Sequence, residues 1–274
     1  FLKITSIASF IFFLSFGFSA NSQELHGILC GGEIRQADMD VAAEFESANP
    51  GVTIKWEAVP WGTCQDKVIN LAIAGDPVDL AYVGSRTLKG LAENGHIINV
   101  DIPQSQINMY QPGILNTVSH MGKVWGYPRA FSTKALFMNC DLLEEAGVAC
   151  EGPQTWDELY SMAEAVTNNV PGVAGIGLTG KDFDNTMHQF LNYLYSNGGQ
   201  VIDPDTNTIT LNSSNTVEAL AFYGKLANVA QEGPLAYERS QLRDLLNDKK
   251  IAMYIDGPWG RGTHNEDLNM KTVR

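Results

Sequence analysis

From Gly27 onward, short apolar runs alternate with stretches whose apolar residues recur every three or four positions, and that alternation leaves few folds open. "GILC" is the first run, and Val41, Ala42, Phe45 and Ala48 then follow at helical spacing until "NPG" stops the helix. "VTIKWEAV" alternates as a strand, and a helix carrying Val68, Leu71 and Ala72 ends at "GDP". "VDLAYV" is apolar almost throughout, the pattern of a strand covered on both faces. "RTLKGLAENG" closes the unit as a further helix. Such alternation predicts an α/β fold with a parallel sheet and right-handed crossovers.

The middle of the chain changes character. "GKVWGYPRAFSTKALFMN", Gly122 to Asn139, is rich in Gly and aromatics and reads as extended segments passing between two bodies. Thr155-Trp156-Asp157-Glu158 then supplies a capping box, and Trp156, Leu159, Tyr160, Ala163 and Val166 make its helix amphipathic. A strand, "VAGIGLT", a helix over Asp184 to Asn197, a longer helix from near Ser214 and a last helix, "RSQLRDLLNDKK", complete a second α/β body.

That last helix leads into "IAMYIDGPWGRG", where a buried-strand pattern ends in Asp-Gly-Pro and the next residue is Trp259. The tryptophan is therefore expected in a loop or first helical turn just past a strand's carboxyl end, where open α/β sheets bind ligands. Asp256 and Arg261 beside it would bind ligand hydroxyls or pair with each other. Ser85 and Arg86 follow "VDLAYV" at its carboxyl end in the same way, with a helix N-cap as the alternative role for Ser85. Glu33 and Gln36 follow the first strand.

Residues 4 to 18, "ITSIASFIFFLSFGF", are apolar, preceded by Lys3 and followed by small and polar residues, with Ala20 and Ser22 at cleavage spacing before Gln23. This is the pattern of a secretory signal peptide. Four cysteines in an exported chain suggest disulfides. Cys140 and Cys150 flank "DLLEEAGVA" and would close a small loop. Cys30 and Cys64 are the remaining pair, although Cys64 shares a helical face with Val68, Leu71 and Ala72 and a buried free thiol fits equally well. Metal binding needs clustered Cys/His spacing, which is absent, and no cofactor motif stands out. A formal net charge of −13 disfavours a nucleic-acid partner, whose phosphates demand a basic footprint. "GIGLTGK", Gly175 to Lys181, fits a P-loop pattern, but Asp182 stands where the Mg²⁺-binding hydroxyl belongs, and the run reads as a strand.

"FESANPGVTI", "AGDPVDLAYV", "GYPRAFSTKALFMNCDLLEEAG", "TWDEL", "YSNGG" and "MYIDGPW", in this order, resemble the extracellular solute-binding proteins of sugar-type ABC importers, the maltose-binding-like group. The resemblance implies a two-lobed periplasmic-binding-protein-like fold with a hinge, each lobe a parallel-rich sheet flanked by helices. It implies a periplasmic monomer that captures a sugar between its lobes by closure and delivers it to ABC permease subunits. The corresponding organisation is a signal peptide over 1–22, an N-terminal lobe over 23–131, a hinge crossing over 132–139 and a C-terminal lobe over 140–274. Family members continue beyond the "DGPW" helix with segments that finish the first lobe, so a fragment is expected.

By the same resemblance Trp259 stacks on a sugar face, with a core tryptophan capping the strand as the alternative; Gly257 ties it to the strand end, and Ser132 is a polar contact at the hinge. Thr186, His188 and Gln189 fall where the family inserts polar and aromatic contacts. Trp61 in "VPWGTC" is a cleft aromatic or a surface staple, and Trp125 and Tyr127 belong to hinge packing. Two competing readings stand beside this one. Arg86 and Arg261 would suit an acidic sugar or glycerol phosphate, since arginine grips anions bidentately. A secreted glycoside hydrolase would need two carboxylates facing each other across a cleft, and no pair is singled out.

Overall fold

A computed structural model describes residues 22–273. The chain divides into two compact units, one ending at Ala130 and the other beginning at Phe131. The expected signal segment, residues 1–22, lies outside the described residues except for Ser22.

The first unit is built on β1 (Gln23–Cys30), α1 (Gln36–Ala48), β2 (Val52–Val59), α2 (Trp61–Ala74), β3 (Leu80–Tyr82) and α3 (Ser85–Glu93). Short helices α4 (Gln104–Ile107) and α5 (Pro112–Thr117) and a hairpin of β4 (Ser119–His120) and β5 (Lys123–Val124) follow. Its sheet runs β2-β1-β3 with both pairings parallel, as the alternation predicts. Ile28, Cys30, Val59, Cys64, Val68 and Leu91 form its core. The Cys30–Cys64 disulfide lies inside that core, so Cys64 is bridged and not a free thiol.

Two expectations for this unit change. β3 is only three residues long and among the described residues pairs with β1 alone, so it is an edge strand; its successive residues Leu80 and Ala81 are both exposed, so it is not covered on both faces. In α1 only Ala42 and Asp38 are buried, whereas Val41 and Phe45 stay exposed. The helix is tied down by polar contacts instead: Asp38 pairs with Arg129 at 2.7 Å and the Glu46 carboxylate accepts the Ile54 N–H at 2.6 Å.

The second unit comprises β6 (Ala135–Asn139), α6 (Cys140–Glu145), α7 (Trp156–Asn169), β7 (Ala174–Gly177), α8 (Asp184–Ser196), the hairpin β8 (Ile202–Asp203) and β9 (Thr208–Ile209), α9 (Ser214–Leu226), α10 (Arg239–Asn247), β10 (Ile251–Asp256) and β11 (Met270–Val273). α8 and α9 are both 13 residues long, so the helix from Ser214 is not the longer one. Its main sheet runs β11-β6-β10-β7. β10 is parallel to β7, while β6 is antiparallel to both β10 and β11. Parallel pairing therefore dominates the first sheet, and the second is mixed.

β10 explains its own composition. Ala252 and Met253 join one cluster with Met138, Leu143, Val166, Ile176 and Leu194, and Ile251 and Tyr254 join another with Phe137, Leu242 and Leu246. Both faces of the strand are covered, which demands the unbroken apolar run. Cys140 and Cys150 are bridged at the edge of this body.

Local chemistry sets the helix ends. The Thr155 hydroxyl accepts the Glu158 N–H at 3.1 Å, as an N-cap should. The return half of the capping box is displaced by one residue, because the Glu158 carboxylate accepts the Gln154 N–H at 2.6 Å. Gly175, part of the P-loop-like run, lies in β7 directly under α7: a Cβ there would come 1.9 Å from the Ala163 carbonyl oxygen. The glycine allows close helix–strand contact and has no phosphate-binding geometry. Gly175→Ala should destabilise the second unit by about 1–3 kcal/mol, the usual range for overpacking against a neighbour that must shift. Urea unfolding of the two proteins checks it, and an unchanged midpoint would contradict the close packing.

Candidate functional site

The carboxyl end of β10 is organised by Asp256, a fully buried carboxylate. It accepts the Tyr254 hydroxyl at 2.7 Å, the Gly257 N–H at 2.7 Å and the Trp259 indole N–H at 2.6 Å. The Arg239 guanidinium, from the start of α10, pairs with it at 3.2 Å. Taking a carboxylate out of water costs several kcal/mol unless such partners offset it. Asp256 and Arg261 therefore do not pair with each other, and Arg261 is exposed. Burial, and then the adjacent Asp256 charge, push the Tyr254 hydroxyl far above its ordinary pKa, so it stays a donor.

Trp259 lies in a 3₁₀ turn over Pro258–Gly262, just past the strand end. Its half-buried ring lies close against Gly257, where a Cβ would come within 2.4 Å of indole carbons. Gly257 is thus needed for space, and its N–H is held by Asp256. Two cations approach the ring: the Lys134 ammonium is 4.5 Å and the Arg239 guanidinium 5.2 Å from its centroid. Burial holds the Lys134 amine below its ordinary value of 10.5, with Asp256 opposing that shift.

Lys134 also lines a concavity of about 280 Å³, together with Ser132, His188, Leu191, Asn192 and Tyr195. Ser132 and His188 are brought together there, and Lys134 joins them to Trp259. Thr186 and Gln189 are not in this lining. The Thr186 hydroxyl donates to the Lys181 carbonyl at 2.6 Å. Gln189 is buried, accepting the Thr179 N–H at 3.2 Å and donating to the Ile255 carbonyl at 3.3 Å, so it braces α8 against the sheet.

In the first unit, Gly31 and Gly32 turn the chain after β1 with φ of 148° and 83°, a left-handed route that favours glycine. Beyond it Glu33 pairs with Arg35 at 3.0 Å, and the Gln36 amide donates to Asp40 at 2.8 Å, both exposed. Ser85 is the first residue of α3, and Gly84 occupies the N-cap position, so capping does not account for the serine. Ser85 and Arg86 are exposed. Trp61 opens α2 and packs on Tyr82 with ring centroids 6.1 Å apart. Tyr82 also carries the Arg129 guanidinium 4.8 Å above its ring. The Arg129 guanidinium bonded to Asp38 holds that carboxyl below the usual carboxylate range. Trp125 donates its indole N–H to the His120 carbonyl at 2.9 Å, and Tyr127 is exposed. A larger concavity, about 490 Å³, is lined only by Thr63, Asp66, Lys67, Asn70 and Leu71 of α2. One helix face cannot wall a ligand, so the smaller concavity beside Trp259 is the better candidate.

Lys134, Asn192, Tyr195, Tyr82 and Arg129 were not singled out by the sequence. For Lys134 a signal exists: it opens the apolar run of β6, whose Ala135 pairs with Asp256.

Each of the two α/β units carries polar and aromatic side chains near the carboxyl ends of its strands. The chain belongs to the bacterial extracellular solute-binding protein family, whose model matches residues 31–269. A Brucella abortus protein named only as a binding protein is 30% identical over 230 residues, 80% of this chain and 54% of its own length. The arabinooligosaccharide-binding protein of Bacillus subtilis is 23% identical over 238 residues, 84% of this chain and 48% of its own. This chain thus spans about half the length of the curated relatives it matches. A solute-binding protein of an ABC transporter from Thermotoga lettingae, bound with α-D-tagatose, superposes with a TM-score of 0.79 at 24% identity, covering 92% of this chain and 67% of that one. The fold is the two-lobed α/β fold of such proteins, and the family is one of binding proteins rather than enzymes.

Replacing Asp256 with alanine should cost about 3–5 kcal/mol, because it leaves the Arg239 charge without its partner. It should also release the indole of Trp259 toward water. Unfolding curves and a red shift of tryptophan emission check the two effects, and unchanged values of both would contradict the anchoring role.

Proposed function

We propose that the protein is the periplasmic substrate-binding component of an ABC transporter, that it reversibly binds a mono- or oligosaccharide, and that it delivers the sugar to membrane permease subunits. The observation that carries this reading is Trp259, an indole pinned at a strand end with its ring half-exposed beside a concavity edged by hydroxyl, amide and imidazole groups. A sugar offers apolar C–H faces for an aromatic and a rim of hydroxyls for polar side chains. Names of similar proteins support the sugar class: one relative is called arabinooligosaccharide-binding, and one structural neighbour holds tagatose.

The proposed contacts in the second unit are Ser132, His188, Gly257 and Trp259, joined by Asn192 and Tyr195. Thr186 and Gln189 are assigned to holding α8. Glu33, Gln36, Trp61, Ser85 and Arg86 are proposed contacts of the first unit, because each follows a strand end or opens the helix after one. The protein acts as a monomer without a cofactor, and no bond of the sugar is broken.

The test is thermal unfolding of the full-length protein with a panel of neutral sugars, oligosaccharides, uronic acids and glycerol phosphates, with product analysis of each sample. Binding to the native state raises the melting temperature by mass action. A saturable rise with the sugar recovered intact is expected. Turnover of the sugar, or no rise with any compound, would overturn the reading.

A further inference from the structure

Lys134 brings a full positive charge to the candidate site, which a neutral sugar meets only with hydroxyls. It is half-buried, lines the concavity, and its ammonium reaches the Trp259 ring at 4.5 Å. Among the described residues no carboxylate lies within 4.0 Å of it. The nearby negative charge of Asp256 is already bound by Arg239, Tyr254, Gly257 and Trp259. Asp184, at the start of α8, acts on Lys134 only through space. A cation without an ion-pair partner thus stands at the edge of the concavity, on the very ring proposed to receive the sugar.

Resting on the sugar-receptor reading, we propose that Lys134 determines specificity and that the ligand is a sugar or polyol bearing an anionic group, a carboxylate or a phosphate. The ammonium is in contact with the Trp259 ring, so a neutral sugar stacking on that side must displace it and offers only hydroxyls in return. An anionic ligand draws the ammonium off the ring into a charge-assisted hydrogen bond, about twice as strong as a neutral one. The same movement uncovers the indole for the C–H face of the ligand. The groups that bear on the charge of Lys134 are Asp256, Arg239 and Asp184, and the His188 imidazole shares its lining. Burial already disfavours the ammonium, and an anion restores it. Affinity for the anionic ligand therefore falls at alkaline pH as Lys134 loses its proton, while affinity for a neutral sugar does not.

Calorimetric titration of the full-length protein tests this with matched pairs: D-galacturonate against D-galactose, D-glucuronate against D-glucose, and sn-glycerol 3-phosphate against glycerol. The anionic member of at least one pair should bind about 10- to 100-fold more tightly, and which pair does so separates carboxylate from phosphate. Lys134→Met should erase that preference, and Lys134→Arg should keep most of it. Equal or tighter binding of the neutral members, or a preference that survives Lys134→Met, overturns this inference and leaves the receptor reading standing. Failure of all these compounds and of neutral oligosaccharides overturns both.

Discussion

The buried carboxylate of Asp256 is the constraint from which the candidate site follows. A charge with no exposure to water is tolerated only if donors replace its hydration. Four do so: a phenol from its own strand, the next backbone amide, the indole and a guanidinium from α10. Each donor is thereby fixed in place. Trp259 owes its position to a hydrogen bond at Nε1 as well as to apolar packing, which leaves its half-exposed ring available. Such an aromatic is held before any ligand arrives, so its side-chain entropy is not lost on binding.

The strand that carries Asp256 gives this arrangement a rigid base. β10 is packed on both faces, and its neighbour β6 runs antiparallel, so the amino end of β6 meets the carboxyl end of β10. Two segments far apart in sequence therefore share one corner, Lys134 from one and Trp259 from the other. α8 completes it, with His188 and Asn192 lining the concavity and Gln189 locking the helix to the sheet. Sheet direction and helix bracing bring the candidate side chains of this unit together.

Local rules made much of this legible in the sequence. The strand spans of β2 and β10, the Thr155 cap and the placement of Trp259 after Asp-Gly-Pro depend on residues close in sequence, and periodicity reports them directly. Non-local pairing is where the reading failed. Whether "VDLAYV" is covered on both faces depends on what packs above and below the sheet, and in β3 both Leu80 and Ala81 are exposed. Val41 and Phe45 share the helical spacing of Ala42, yet ion pairing through Asp38 and Arg129 orients the helix. Lys134 lies at the amino end of β6, and only the antiparallel pairing of β6 with β10 carries it to the corner that holds Trp259. On α8, side-chain direction places His188 in the lining of the concavity, while Thr186 bonds the Lys181 carbonyl and Gln189 bonds Thr179 and Ile255.

The proposed account is a receptor that holds a sugar against Trp259 without chemical change. The most direct test is the indole N–H spectrum of the ¹⁵N-labelled protein during ligand titration. The chain has five tryptophans, few enough to resolve. Trp259→Phe identifies one signal, and Trp156, stacked on Phe222 with ring centroids 4.6 Å apart, serves as an internal reference. The account predicts that the Trp259 signal moves saturably with the sugar while the Trp156 signal stays in place. A bound sugar that leaves the Trp259 signal unmoved would contradict it.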